Sequence, residues 1–142
     1  MSGEVKTVLA IDPGSMKCGV AVVACKDGSA PEVVYHSVIE TVRLGESAAD
    51  LEQRFHPGVI VIGNGTTSVQ AVRAVGKVSA APVEMIDEKF TTLLARAMYF
   101  QDNPRRGLRR LIPISLQTPD RPYDDYVAII LAKRYFQSAG EK

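Results

Sequence analysis

The apolar run Thr7-Val8-Leu9-Ala10-Ile11 ends on Asp12-Pro13-Gly14-Ser15, and a second run, Cys18-Gly19-Val20-Ala21-Val22-Val23, follows almost at once. Uninterrupted β-branched and small apolar residues read as buried strands, which puts Asp12 at the end of the first. A carboxylate that is even half-buried there is costly unless it is hydrogen-bonded or binds a cation. A strand that delivers one acid to a sheet edge, then turns through Pro-Gly into a return strand, is a foundation for a metal site. Asp12 can equally be the opening residue of an Asp-Pro-Gly turn, where aspartate serves local hydrogen bonding. This stretch alone does not separate the two readings, so the rest of the chain has to.

The 142 residues suit one compact domain, 1–142, with a real core. There is no Trp, and the formal net charge is +1. No apolar run approaches the ~18–20 residues of a membrane span, so no membrane partner is expected. Met1-Ser2-Gly3-Glu4 lacks the basic-then-apolar layout of a secretion signal, and a cytoplasmic location is expected. Cys18 and Cys25 fall on opposite faces of one strand by alternation and are expected to be free thiols. Together with His36 and His56 they match no structural zinc spacing.

The small net charge hides an asymmetry. Acids dominate from Asp27 to Phe55, whereas Arg96, Arg105, Arg106, Arg109, Arg110 and Arg121 crowd the stretch from 96 to 121. Such a basic block is either a phosphate-binding patch or a solvated surface segment.

Strands are expected over Val5 to Asp12, Cys18 to Ala24 and about Val33 to Ile39, separated by short Gly- and Pro-containing breaks that favour an antiparallel meander. Leu44 to Phe55 has Leu44, Ala48, Leu51 and Phe55 near one face of a helix, ended by His56-Pro57-Gly58. Val59 to Gly63 is a short buried strand, Ser68 to Ser79 a helix, and Val83 to Asp87 the fifth strand. Thr91 or Thr92 is placed to cap a helix reaching Gln101, and a last helix covers about Tyr123 to Gln137. The order β-β-β-α-β-α-β-α-α makes a mixed five-stranded α/β sheet, its first three strands antiparallel, with helices on both faces. Asp102 to Pro122, proline- and arginine-rich, resists assignment, and loops of that length in small domains are functional or disordered.

Further acids stand at element ends. Asp87 and Glu88 close the fifth strand, and Asp124 and Asp125 open the last helix. Acids at a helix start complement the dipole and cap free amides, and a strand-end Asp-Glu is commonly a turn. Taken together the positions mean more. The carboxyl ends of parallel strands gather on the sheet edge where ligands bind. Carboxylates converging there repel one another unless Mg²⁺ or Mn²⁺ joins them. Two such ions ~3.5–4 Å apart are the arrangement used in phosphodiester cleavage.

Ile11-Asp12-Pro13-Gly14-Ser15 with Gly19-Val20-Ala21-Val22, Asp87-Glu88-Lys89-Phe90-Thr91-Thr92 with Ala95, and Asp124 with Val127-Ala128-Ile129-Ile130-Leu131 and Tyr135-Phe136 stand in order along nearly the whole chain. This ordered set resembles the YqgF (RuvX) family of ribonuclease H-like nucleases, relatives of RuvC-type Holliday junction resolvases and of the nuclease that matures precursor 16S ribosomal RNA. The resemblance implies a ribonuclease H-like fold and metal-binding acids at Asp12, Glu88 and Asp124, with Asp87 and Asp125 able to substitute. It implies Mg²⁺ or Mn²⁺ as cofactor and branched DNA or precursor rRNA as partner. Phosphate contacts are expected from Lys17, Asn64, Thr66, Lys89, Arg105, Arg106, Arg109 and Arg110. A homodimer is expected if junctions receive paired cuts, with Met98, Tyr99 and Phe100 as a conceivable face and core packing as their alternative use.

Three features depart from the family pattern. Gly63-Asn64-Gly65-Thr66 replaces a Gly-Leu-Pro run and is similar to the Gly-Asn-Gly-Thr of the YqgF-like domain in the transcription accessory protein Tex. That likeness keeps open a non-catalytic nucleic-acid-binding module. Its glycines allow close backbone approach, and Asn64 and the threonines either bind phosphate or water or simply form a β-to-α turn. Lys89 stands where the family has Arg, keeping charge without the bidentate fork. The Arg-rich segment before Asp124 is longer than the family's.

Overall fold

The computed structural model describes residues 5–65, 67–89, 91–104, 111 and 123–140. Five strands, β1 (Val5–Asp12), β2 (Lys17–Lys26), β3 (Glu32–Glu40), β4 (Val59–Gly63) and β5 (Val83–Ile86), form one sheet in the order β3-β2-β1-β4-β5. β1, β2 and β3 pair antiparallel, while β4 and β5 run parallel to β1. Among the described residues four α-helices are interleaved with or follow these strands: α1 (Leu44–Phe55), α2 (Ser68–Gly76), α3 (Thr91–Asp102) and α4 (Asp124–Gly140). One 3-10 turn, Thr41–Arg43, links β3 to α1.

The unbroken apolar runs have the cause their composition implied, since both faces of the central strands are covered. Leu9, Ile11, Val20, Val22, Ile60 and Ile62 pack with Leu44, Ala48 and Leu51 of α1 and Ala71 and Val75 of α2. Val8, Ala10, Ala21, Val23 and Val61 point the other way, into a core made with α3 and α4. Each fully buried Val, Leu or Ile contributes roughly 1.5–3 kcal/mol, so β1, central and buried on both faces from Val8 to Ile11, anchors the molecule. Helix α4 is the other spine. Every residue from Asp125 to Ala132 is buried, because the helix lies between the sheet and α3. Tyr99 and Phe100 are buried in this core, with Met98 packed against it.

Some boundaries differ from the sequence expectation. α2 stops at Gly76, the poorest helix former available there apart from proline, and the amides of Val78 and Ser79 turn back onto the Val75 carbonyl. β2 and β3 extend through their polar ends, because antiparallel pairing continues from Lys17↔Glu40 to Ala24↔Glu32. β5 ends at Ile86, which leaves Asp87 and Glu88 in the following loop. α4 continues past Gln137 to Gly140. At the start of α3 the Thr91 hydroxyl donates to the Glu88 carbonyl at 2.7 Å.

Candidate metal centre

Asp12, at the carboxyl end of β1, is paired in register with Gly19 of β2. A Cβ on Gly19 would overlap the Asp124 carbonyl, so this glycine is what lets the start of α4 settle against the sheet beside Asp12. On the other flank, Ile11 pairs with Ile62 of β4, which brings Gly63 next to Asp12. A Cβ on Gly63 would collide with the Glu88 carboxyl group, and one on Gly65 would come 2.7 Å from Glu88 Oε2. The missing side chains of the Gly-Asn-Gly segment are therefore the space that the Glu88 side chain fills.

The Glu88 backbone is fixed from three directions. Its amide donates to Asn64 Oδ1 at 3.3 Å, and its carbonyl accepts from the Thr91 amide at 3.0 Å and hydroxyl at 2.7 Å. From α4, Arg134 donates to the Asp87 carbonyl at 2.6 Å and the Lys89 carbonyl at 2.5 Å, bracketing Glu88. Two carbonyls flanking one residue suit the planar fork of a guanidinium, which a lysine cannot reproduce.

Charge at the centre is unfavourable without a proton or a cation. Burial, a hydrogen bond shared with Glu88, and the charges of Glu88 and Asp124 together lift Asp12 from 3.8 to about 8. Two ionised carboxylates have no proton to share, and Glu88 Oε1 is buried with no hydrogen-bond partner among the described residues. Asp124 is also raised, by burial and by the charge of Asp125, against the opposing pull of Lys17. A retained proton and an orphaned hard oxygen are the signs of a site whose charge a divalent ion would balance, so Asp12 and Glu88 fit one. Among the described residues no three His, Cys, Asp or Glu side chains stand close enough together to form a ready cage. Asp124 is thus felt electrostatically at the Asp12–Glu88 pair without closing around it.

The other candidates have different surroundings. Asp87 is exposed, and its Oδ1 accepts the Lys89 amide at 3.0 Å, as in a turn. Asp125 is turned into the protein, with Oδ2 2.7 Å from His36 Nδ1 on β3 and Oδ1 accepting the Tyr126 amide. Its 3% exposed side chain is a buried tie between helix and sheet. Asn64 acts on Glu88, and Lys17 lies within charge range of Asp124. Lys89 is exposed beside the Arg134 bracket. Thr66, Arg105, Arg106, Arg109 and Arg110 lie outside the described residues.

Sequence reasoning missed Arg134 and His36. Arg134 gave the faint signal of a fixed charge in a helix too apolar to be solvated all round. His36 gave none, because its partner lies 89 residues away.

The fold of this chain superposes on solved structures over nearly its full length. The Thermus thermophilus RuvC structure superposes with a TM-score of 0.63 at 18% identity, covering 94% of each chain. The fold is ribonuclease H-like. T. thermophilus RuvC in complex with Holliday junction substrate gives 0.63 at 19% identity over 95% of this chain and 96% of that one. The yeast mitochondrial Holliday junction resolvase Ydc2 gives 0.51 at 13% identity over 92% and 77%. No family model and no curated protein matches the sequence. At these identities the likeness concerns the fold. Among the described residues, no helix is long and apolar enough to cross a membrane.

Proposed function

We propose that this chain is a divalent-metal-dependent nuclease that hydrolyses phosphodiester bonds in branched DNA, with Asp12, Glu88 and Asp124 as its essential acids. The observation that carries the reading is the Asp12–Glu88 pair, in which the Glu88 carboxyl group fills the space over Gly63 and Gly65 with one buried oxygen orphaned, while burial and neighbouring charge push the Asp12 carboxyl up. Such a pair at the carboxyl edge of parallel strands has little structural use and a direct chemical one. A bound Mg²⁺ or Mn²⁺ would activate water and relieve charge at the scissile phosphate, in the two-ion manner where two are held. The chain's own part is to hold Glu88 rigid through Asn64, Thr91 and Arg134, to aim Asp124 from the start of α4, and to offer Lys17 as a phosphate contact. Likeness to a RuvC solved with a Holliday junction supports a four-way junction as substrate.

The ordered motifs favour the YqgF branch of this fold and a single unit over 1–142, with precursor rRNA as the alternative substrate. A cytoplasmic location and a homodimer making paired cuts belong to the same reading. The deciding experiment is cleavage of a four-way DNA junction, a linear duplex and a single-stranded RNA in Mg²⁺ or Mn²⁺. Junction cutting that is lost in Asp12→Asn supports the proposal, and cutting unchanged in Asp12→Asn overturns it.

A second reading draws on the lack of a ready three-ligand cage among the described residues. It is a nucleic-acid-binding module that keeps the fold without catalysis. Calorimetry separates the two, since absence of Mn²⁺ uptake favours the module.

A further inference from the structure

Next to the acids, the sheet edge presents two bare apolar side chains. Met16 is 80% exposed and Val42 is 90% exposed, the two highest values among the described large apolar residues. Scattered exposed apolar residues need no explanation, but this pair is held together. The Thr41 amide donates to the Met16 carbonyl at 2.9 Å, and the Thr41 hydroxyl donates to the Gly14 carbonyl at 2.8 Å. Buried Cys18 places its sulfur 3.4 Å from the same hydroxyl. The β1–β2 turn is thereby fastened to the 3-10 turn that carries Val42, and both side chains are offered to solvent from fixed backbone. The turn leaves directly from Asp12, which shares a hydrogen bond with Glu88 and feels the charge of Asp124.

Charged neighbours define the occupant. Lys17 follows Met16 and lies within charge range of Asp124. Arg43 follows Val42, and its contact to Glu40 is a loose 3.8 Å with both side chains about two-thirds exposed. Glu40 in turn stands opposite Lys17 in the β2–β3 register. Two apolar side chains flanked by cations are too small a patch for a protein partner, which needs ~800 Å² on each side. They suit a nucleic acid whose phosphates meet the cations while an apolar wedge enters between bases, a use to which Met is well fitted. Entering an intact duplex costs a few kcal/mol of unstacking, and the cost is least where bases are already unpaired or strained.

We propose that Met16 and Val42 form a wedge that packs against unstacked bases at the crossover of a four-way DNA junction, with Lys17 and Arg43 on the adjoining phosphates. The proposal rests on the branched-DNA reading above and adds the element that distinguishes a branch from a duplex. The test uses the full chain and four-way junctions carrying 2-aminopurine either at the crossover or in an arm, titrated in Ca²⁺. Wild type is expected to raise the crossover fluorescence and leave the arm probe unchanged. The double variant Met16→Ala/Val42→Ala is expected to lose that rise and about tenfold in junction affinity, with duplex affinity kept. Met16→Leu retains the rise.

An undiminished rise in the double variant overturns the wedge, as does equal weakening toward duplex and junction. Cleavage in Mg²⁺ is scored separately. A wild-type fluorescence rise without cutting removes the nuclease and leaves the wedge, whereas equal cutting and equal rise by the double variant removes the wedge and leaves the nuclease. A wild type that binds no junction removes both.

Discussion

Asp12 keeps a proton to about pH 8 because burial and two neighbouring carboxyls penalise its charge, and this has a sign that can be checked. A folded pKa above the unfolded ~3.9 stabilises the protein fully below that value, and the stabilisation is lost as pH rises through the folded pKa. The metal-free protein is therefore expected to melt at a lower temperature at pH 9 than at pH 5, and Asp12→Asn should flatten that slope. Mn²⁺ competes with the proton, so it should raise the melting temperature more at pH 8 than at pH 5. Thermal unfolding followed by circular dichroism measures all three. Arg134 offers a second test, because it reaches two carbonyls rather than a substrate. Arg134→Lys should weaken Mn²⁺ binding and lower kcat about tenfold or more, as positioning losses do, while KM for the junction changes little. A purely structural role would lower the melting temperature without moving the metal affinity. Arg134 was barely legible in the chain and His36 not at all, since each acts on a group far away in sequence. The acids were legible because they stand at the ends of apolar elements, Asp12 closing a strand, Glu88 just after one and Asp124 opening a helix. Which of Asp87 and Glu88 faces the centre was decided by packing over Gly63 and Gly65, a contact no strand pattern contains.

At the scale of elements, the inner strands β1, β2 and β4 were read well because their composition answers to burial on both faces, and burial on both faces is what their place in the sheet delivers. Helix α1 was recovered from Leu44 to Phe55 because its apolar stripe is clean. α2 was overextended, because the apolar Val78 beyond it continued the period while Gly76 ended the helix. The Gly63-Asn64-Gly65 segment, readable from sequence either as a phosphate- or water-binding loop or as a β-to-α turn, makes room for a carboxylate, with Asn64 accepting the Glu88 amide. Gly63→Ala should then keep the fold and displace Glu88, detected as loss of Mn²⁺ uptake by calorimetry with little change in unfolding temperature. Gly19→Ala strikes backbone rather than a side-chain tip. It should cost about 1–3 kcal/mol or more of stability, as overpacking does, measured by urea denaturation.

The described residues form two cores divided by one sheet, and α4 belongs to the larger of them while its first residue belongs to the site. The buried Asp125–His36 tie and the Arg134 bracket fix both ends of that relation, one to β3 and one to the loop after β5. The sequence pointed to a buried last helix from its run of apolar residues, but its contact with Gly19 of β2 emerges only from the assembled sheet. His36→Ala leaves Asp125 with a buried, less satisfied carboxylate. It should destabilise the protein by about 1–3 kcal/mol at pH 7, read from chemical denaturation, with the loss recovered in part by Asp125→Asn in the same chain. The burial of α4 from Asp125 to Ala132 also bears on dynamics. A stretch enclosed on every side, as these eight residues are, has no cheap way to open by itself. Its amides are expected to exchange with deuterium only when the entire chain unfolds, and the centre at its first turn should then vanish in that same step, with no half-open form in which the fold persists and the acids have parted.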